Sequence, residues 1–468
     1  MDRRLAHLPA TELAHGFRSG RFSVSEVVED VLSTIASVDD ELNAYCVVDP
    51  VHARKGAAQA DTRFAAGTPI GPLDGVPVSI KDILLTEEWP TRRGSRALPA
   101  LEPRGVDSPS VKALRRAGTV TVGKTTTPEL GWKAVTDSPL TGVTRNPWNH
   151  ALTPGGSSGG ASVAVASGMG AIAVGTDGGG SVRIPAAFTG VVGFKPSRGM
   201  VPLWPASAFG LLSHAGPLTR TVDDAVLAMS VLGRPDIRDT SFPHDRYATM
   251  DPTMAPLPLE GLRVGFALEH RDVVTDPDVR RTLERALLSL QDAGARLKDL
   301  DLPLAGVEEA FRTMWFVGAA AATRPGERST DGIDPGLASA AARGSNFSAV
   351  EYHEAILRRE ILMRDMHELF ESIDVLVTPT VPILPFEAGL EVPTGWTGDG
   401  WPSWTPFTWP FNMTGQPAIS VPAGLSGTGL PVGLQAVCRF GADAQLLRFA
   451  KSFEALRGAL PGPPTAHR

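Results

Sequence analysis

The chain has 468 residues with 44 basic and 51 acidic side chains, a formal net charge of −7, so it offers no basic face to nucleic acid or anionic lipid. No apolar run approaches the roughly 18 residues of a membrane-spanning helix, and the charged first residues lack the apolar core of a secretion signal, so we expect the protein in the cytoplasm. The two cysteines, Cys46 and Cys438, lie too far apart in sequence for a disulfide framework or a metal cluster, and no metal site is predicted.

Helical and strand patterns alternate along the chain. Apolar residues at helical spacing run from Val24 to Ile35, and Ser23 with Glu26 predicts a capping box at the start of this helix. In the first half of the chain, the same reasoning predicts a short apolar stretch at 76–85 that carries one lysine, a helix at 108–117, a strand at 119–122 and a buried helix within 161–176. In the second half it predicts strands at 262–268, 374–380 and 431–438 and helices at 278–293, 348–372 and 443–456. An irregular segment rich in Pro and Trp is predicted at 379–417. This alternation predicts an α/β fold.

Residues 153–200 are rich in glycine, alanine and serine, and they contain two glycine-flanked serine clusters. The first is GGSSGG, with Ser157 and Ser158, and the second is DGGGSVR, with Ser181. Glycine runs of this kind let the backbone adopt positive φ and direct successive N–H groups at one point, as a developing oxyanion requires. A serine at the end of such a run is well placed to attack a carbonyl group, but it still needs a base.

Several long blocks of the sequence resemble those of the amidase signature family. The densest is GTDGGGSVRIPAAFTGVVGFKPSRGMVP, with LDGVPVSIKDIL before it and FNMTGQPAISVPAG after it. The resemblance runs from about residue 10 to 455, and it implies a single domain over 1–468 with a signature core at about 70–225. It also implies a central mixed β-sheet flanked by helices on both faces, and a C-terminal section at about 300–417 that shapes the substrate pocket.

The Ser–Ser–Lys triad of that family falls on three residues of this chain. The lysine of its G-V-P-x-x-x-K-D block falls on Lys81, the first serine of GGSSGG on Ser157, and the serine that closes DGGGS on Ser181. The resemblance implies that Ser181 is the nucleophile and that Ser157, which the family holds after a cis peptide, relays its proton to Lys81. The implied oxyanion donors are the backbone amides of Gly178, Gly179, Gly180 and Ser181. No cofactor is implied, and the GKTT of this chain, where the family usually has GKTN, affects a supporting hydrogen bond at most.

The proposed base must be a neutral amine. An ordinary lysine has a pKa of about 10.4 and is a cation at neutral pH. Burial disfavours the charged form, and the apolar residues Val78, Ile80 and Ile83 around Lys81 favour such burial. A pKa lowered by about 3 units corresponds to roughly 4 kcal/mol of differential solvation.

Four further residues flank the predicted triad. Ser158 is expected to hydrogen-bond the loop or Ser181, and Thr176 to contact the lysine. Asp177 and Arg183 are expected to brace the glycine loop, with a direct catalytic role as the alternative.

Two other motifs match different enzyme classes but lack the required context. GTVTVGKT matches the phosphate-binding pattern G-x-x-x-x-G-K-[ST], yet its middle residues are strand formers and no helix start follows Lys124. GGSSG fits the nucleophile elbow G-x-S-x-G, which needs a later Asp and His. None of the histidines, including His214, lies in such a triad context, and we interpret them as surface or satisfied core residues.

Aromatic residues cluster in the irregular segment before the last strands. Four of the nine tryptophans fall there: Trp396, Trp401, Trp404 and Trp409. Stiff aromatic loops often form apolar pocket walls, so one hypothesis is a wide mouth for aryl or long aliphatic groups, with Trp409 in its wall. The alternative is a lid packed into the core that only excludes water. Weaker pocket candidates are Leu130, Trp132, Ile184 and Phe316.

The predicted function is hydrolysis of a C–N bond in small hydrophobic or aryl amides. A carbamate (urethane) or ester hydrolase with the same triad is the first alternative. A glutamyl-tRNA amidotransferase component is disfavoured because Arg183, Ile184 and Pro185 stand where that protein usually has R-Q-P, and an inactive binding protein is disfavoured by the intact triad. The expected partner is a small-molecule amide or carbamate rather than nucleic acid or a membrane, and the expected state is a monomer or homodimer.

Overall fold

The computed structural model describes residues 4–98, 105–241, 250–270, 273–324 and 332–464. These described residues form thirteen strands, β1 to β13: Tyr45–Val48, Pro77–Lys81, Val120–Thr125, Asp137–Ser138, Gly142–Val143, Ile172–Asp177, Val192–Lys195, His214–Thr219, Arg263–Phe266, Arg296–Asp299, Val375–Pro379, Ala418–Leu425 and Pro431–Val437. The same residues form thirteen α-helices, α1 to α13: Ala10–Ser19, Val24–Leu42, Pro50–Ala65, Pro109–Arg116, Gly159–Ala166, Arg183–Thr189, Val222–Leu232, Pro277–Asp292, Val307–Thr323, Pro335–Ser345, Ala349–Ser372, Pro410–Met413 and Asp443–Arg457.

Eleven of the described strands form one mixed sheet in the order β1-β3-β2-β6-β8-β7-β12-β13-β11-β9-β10. Both faces of the sheet are buried, as β11 illustrates. Val375 and Val377 contribute to one core, which also holds residues of α2, α7, α8 and α13, whereas Leu376 between them contributes to a second core with α9, α10 and α11. Because successive side chains of a strand point to opposite faces, helices cover both sides of the sheet. The predicted α/β fold with a central mixed sheet flanked on both faces is confirmed.

Local sequence accounts for many of these elements. Ser23 and Glu26 form the predicted capping box of α2, and α4, α8, α11 and α13 begin and end within three residues of their predicted bounds. The predicted buried helix within 161–176 is confirmed for the first part of the segment, because every residue of α5 is buried, but the helix ends at Ala166 and β6 begins at Ile172. Gly168 has a φ of +74°, so the chain turns there, and the β-branched residues after it form a strand.

The pairing of β2 with β6 positions the candidate site. The two strands are parallel, and Ile80 pairs with Val174. Lys81, the last residue of β2, therefore lies beside the end of β6, where Thr176 and Asp177 lie. The carboxyl ends of parallel strands are where open α/β sheets bind ligands.

In the part of the chain that the structure describes, no helix is both long enough and apolar enough to cross a membrane.

Candidate active site

Lys81 is a fully buried amine hydrogen-bonded to two hydroxyl groups. Its Nζ lies 2.7 Å from Ser157 Oγ and 2.9 Å from Thr176 Oγ1. Ser157 comes from the loop before α5, and Thr176 from β6. The fold thus brings Lys81 and Ser157, which are 76 positions apart in sequence, into direct contact, and it gives Thr176 the lysine contact that the sequence predicted.

Burial lowers the pKa of Lys81 from about 10.5 to about 7, although the nearby Asp177 carboxylate favours the charged form. Lys124 on the adjacent strand β3 has a different environment. Its Nζ lies 2.8 Å from Asp82 Oδ1, so it forms a buried ion pair. The partners of Lys81 in the described structure are neutral hydroxyls, and a substantial fraction of its amine is therefore uncharged at neutral pH.

The loop that carries Ser157 is held tightly against its surroundings. The Gly156–Ser157 peptide is cis, and a Cβ on Gly156 would collide with the carbonyl group of Val135. Ser158 donates its backbone N–H to the carbonyl of Ser181 at 3.1 Å and its hydroxyl to the carbonyl of Thr176 at 3.1 Å. Ser158 therefore links the two serine loops through backbone contacts, in line with its predicted supporting role.

The carboxylate of Asp177 organises the glycine loop that precedes Ser181. Asp177 accepts hydrogen bonds from the backbone N–H of Gly180 at 2.8 Å and of Val182 at 3.1 Å. This contact removes Gly180 from the predicted oxyanion donors, because its N–H is already engaged. Within the described residues, no partner engages the amides of Gly178, Gly179 and Ser181.

Arg183 braces this arrangement from beneath the loop. The guanidinium is fully buried and donates twice to Asp177, at 2.9 and 3.0 Å. It also donates to Thr408 O, to Gln435 Oε1 and to Asn412 Oδ1, at 2.9, 2.8 and 2.6 Å. Burial alone would raise the pKa of Asp177, but the charge and hydrogen bonds of Arg183 hold it below its usual value. Because both charged groups are saturated by protein partners, their contacts are those of a structural brace.

A cavity of about 250 Å³ opens above the two serines. Ser157, Thr176, Gly178 and Ser181 form its floor. Its wall contains the residues Ile83, Leu84, Arg93, Leu130, Gly131, Leu203, Trp204, Pro205, Ala206, Ser207, Ala208, Phe209, Ser213, His214, Trp315 and Ala322. Asp177 also lines the cavity, beside Gly178. Of the five predicted pocket residues, Leu130 lies in this wall. The segment 203–209, which no sequence pattern indicated, forms much of the rest.

The other predicted pocket residues point elsewhere. Trp132 donates its indole N–H to Asp334 at 3.1 Å, and Phe316, the residue after Trp315 in α9, lies under the guanidinium of Arg343 at 4.4 Å. Ile184 packs behind the glycine loop, next to Gly155 and Gly180. The side chain at position 184 therefore affects how the glycine loop packs and does not form part of the cavity wall.

The hypothesis that Trp409 forms the pocket wall is also wrong. Trp409 is fully buried and stacks on Phe311 of α9 with ring centroids 5.1 Å apart. It borders a separate cavity of about 90 Å³. Trp401 packs behind Gly179 of the loop, and Trp404 stacks on Phe188 at 6.1 Å. The Trp-rich segment thus belongs to the second core, as its alternative interpretation predicted.

Sequence reasoning missed three buried polar residues that surround the loop: Thr408, Asn412 and Gln435. It interpreted His214 as a surface or satisfied core residue and missed only its contact with the loop. Asn412 and Gln435 lie in the blocks FNMTGQPA and LPVGLQAV, so a pattern pointed at the segments without indicating which side chain mattered.

The mixed sheet, the buried lysine and the two serine loops together match a known family. The family model described as Amidase matches residues 26–447, and the chain therefore belongs to the amidase family, as its resemblance implied. It is accordingly a hydrolase that acts on amide C–N bonds.

Individual relatives cover nearly the whole chain. An acylamidase of Rhodococcus erythropolis is 34% identical over 97% of both chains. A glutamyl-tRNA(Gln) amidotransferase subunit of Anaeromyxobacter sp. (strain K) is 35% identical over 99% of both chains. Among solved structures, a bacterial aryl acylamidase of the amidase signature family matches with a TM-score of 0.89 and 30% identity over 96% of both chains.

Proposed function

We propose that the protein hydrolyses small hydrophobic amides, aryl amides among them, through an acyl-enzyme on Ser181. The observation that carries this proposal is the contact of 2.7 Å between the buried amine of Lys81 and Ser157 Oγ. Neutral Lys81 takes the proton of Ser157, which takes that of Ser181 as its Oγ attacks the amide carbonyl. The oxygen that becomes negative faces the free amides of the glycine loop.

The second half of the cycle reverses the proton path. Ser157 returns the proton to the leaving nitrogen, the C–N bond breaks, and the amine departs. Water then attacks the Ser181 ester through the same relay and releases the acid. In the described residues the hydroxyls of Ser157 and Ser181 share the cavity floor without a mutual hydrogen bond, so the proposal includes a hydroxyl rotation as substrate enters.

The cavity wall supports the substrate class. Leu130, Trp204 and Phe209 are apolar, and Phe209 stacks on Trp315 with centroids 4.0 Å apart. A largely apolar wall with aromatic rings beside the nucleophile favours an aryl or aliphatic group on the scissile amide. Esters and carbamates present the same carbonyl geometry to Ser181, and they remain the first alternative substrates.

A second candidate is the role of the amidotransferase relative, favoured by the 35% identity to that protein. Glutamine carries an ammonium group that requires an acceptor carboxylate. Among the described lining residues Asp177 is the carboxylate, and it is already engaged by Arg183 and Asn412. This favours a substrate without that charge.

The test is a panel of anilides, primary amides, esters, carbamates and glutamine, with Ser181→Ala as the blank. We expect the isolated protein to cleave anilides and a fluorophosphonate to add one equivalent at Ser181, measured by mass. Activity that survives in Ser181→Ala would overturn the mechanism. Glutamine cleavage that requires partner proteins, without anilide cleavage, would favour the second candidate.

A further inference from the structure

The backbone carbonyl oxygen of Asp177 is hydrogen-bonded by two side chains from distant parts of the chain. Asn412 of α12 donates to it from Nδ2 at 2.9 Å, and His214 of β8 places Nδ1 3.3 Å away. This carbonyl shares a peptide group with the N–H of Gly178. In a trans peptide the two groups point in opposite directions. Holding the carbonyl of Asp177 therefore directs the N–H of Gly178 the other way, and Gly178 lies in the cavity floor beside Ser181.

The orientation of the Asn412 amide follows from its partners. Arg183 Nη2 lies 2.6 Å from one amide atom of Asn412, and a guanidinium can only donate, so that atom is the oxygen. The nitrogen then faces three acceptors: Asp177 O at 2.9 Å, Asp177 Oδ1 at 2.8 Å and Leu212 O at 3.1 Å. Asn412 is fully buried and does not line the catalytic cavity in the described structure, so any effect on the reaction passes through the loop.

His214 makes the second contact with this carbonyl oxygen, and its protonation state follows from its neighbours. Its Nδ1 lies 2.9 Å from the carbonyl oxygen of Leu212 and 3.3 Å from that of Asp177. Both of these neighbours are acceptors, so Nδ1 carries the proton, and the Asn412 amide nitrogen, 3.4 Å from Nδ1, donates to the same two carbonyl oxygens instead. Burial lowers the pKa of His214 well below its usual value, and the ring is neutral.

We propose that Asn412 is a positioning residue of the oxyanion hole and that His214 assists it, by holding the carbonyl of Asp177 so that the N–H of Gly178 meets the developing oxyanion. This inference rests on the proposed function, since it needs a substrate oxyanion bound next to Ser181. Asn412 does not line the cavity and acts through the peptide between Asp177 and Gly178; His214 also lines the cavity, and its Nδ1 acts through the same peptide.

The experiment compares Asn412→Leu, similar in shape but without donors, with Thr414→Val as a matched control. Thr414 directly follows α12, is buried, and its hydroxyl has no partner in the described structure. For an anilide we expect kcat of Asn412→Leu to fall about ten- to a hundredfold with little change in KM, since one fully lost oxyanion donor costs about a hundred- to a thousandfold. The affinity for phenylboronic acid, whose adduct with Ser181 places an oxygen in the hole, should fall by the same factor. Thr414→Val should match the wild type.

A second pair of variants covers a failure of Asn412→Leu to fold. His214→Leu removes the other donor, and His214→Asn restores an amide donor near the position of Nδ1. We expect a loss of kcat and of boronate affinity in His214→Leu that His214→Asn partly rescues. Undiminished boronate affinity in the folded variants, with Ser181→Ala inactive, would overturn this inference alone. An active Ser181→Ala would overturn the proposed function as well.

Discussion

Gly131 offers a sharp test of the relay between Lys81 and Ser157. It has a φ of +69°, and a Cβ at this position would lie 2.8 Å from Ile83 Cδ1, 3.1 Å from Ser157 Oγ and 3.8 Å from Lys81 Nζ. Ile83 Cδ1 is the end of a flexible side chain and can move aside. The hydroxyl of Ser157 cannot move without changing the 2.7 Å contact with the amine.

The expected magnitude has two parts. Placing alanine at positive φ costs about 1–2 kcal/mol of stability wherever it occurs. Displacing a reacting group by about 1 Å costs about a hundredfold in rate, and the 3.1 Å contact with Ser157 Oγ requires a shift of a few tenths of an ångström. We therefore expect Gly131→Ala to lose about three- to tenfold in kcat/KM for an anilide.

Gly67 is the matched control for this substitution. Its φ is +67°, and a Cβ there would meet nothing within 4 Å. Gly67→Ala and Gly131→Ala should lose similar free energy of unfolding, measured in urea, while only Gly131→Ala loses activity and the rate of Ser181 acylation. Full activity in a folded Gly131→Ala, or equal losses of activity in both variants, would refute the assignment of this relay.

The same contacts lead to three more expected outcomes. Burial lowers the pKa of Lys81 to about 7, and the neutral amine is the base. We therefore expect kcat/KM to rise about tenfold per pH unit below pH 7 and to level off above it. A kcat/KM that does not change from pH 5 to 8 would contradict this expectation. Arg183→Met leaves the Asp177 carboxylate buried without its cation, so thermal or urea unfolding should show a loss of about 3–5 kcal/mol, and an unchanged midpoint would count against the brace. Trp204→Ala should lower kcat/KM for benzyl-type amides more than for acetamide, because Trp204 lines the cavity. Trp409→Ala should change kcat/KM for both substrates by the same factor, because Trp409 packs on Phe311. The reverse pattern would show that the Trp-rich segment, rather than Trp204, contacts the substrate.

The sequence predicted best where the determining contacts are local. The capping box of α2 needs only Ser23 and Glu26, and long amphipathic helices follow from one apolar stripe. Within 161–176 the change from helix α5 to strand β6 could not be predicted, because small residues such as alanine fit both a buried helix and a buried strand, and periodicity does not separate the two. The sequence does not predict strand β12, because proline and glycine interrupt its apolar pattern. The strand forms because it pairs with β7 and β13.

The family, the α/β class and the candidates Lys81, Ser157 and Ser181 could all be predicted from the sequence, since each lies in a contiguous block with a recognisable order. Three features emerged only from the folded chain: β2 and β6 are parallel neighbours, the Gly180 amide is already engaged, and Trp409 faces α9 rather than the cavity. The reason is that the orientation of a side chain, and whether a backbone N–H is free to bind substrate, depend on the distant segment that packs against them. Local periodicity does not identify that segment.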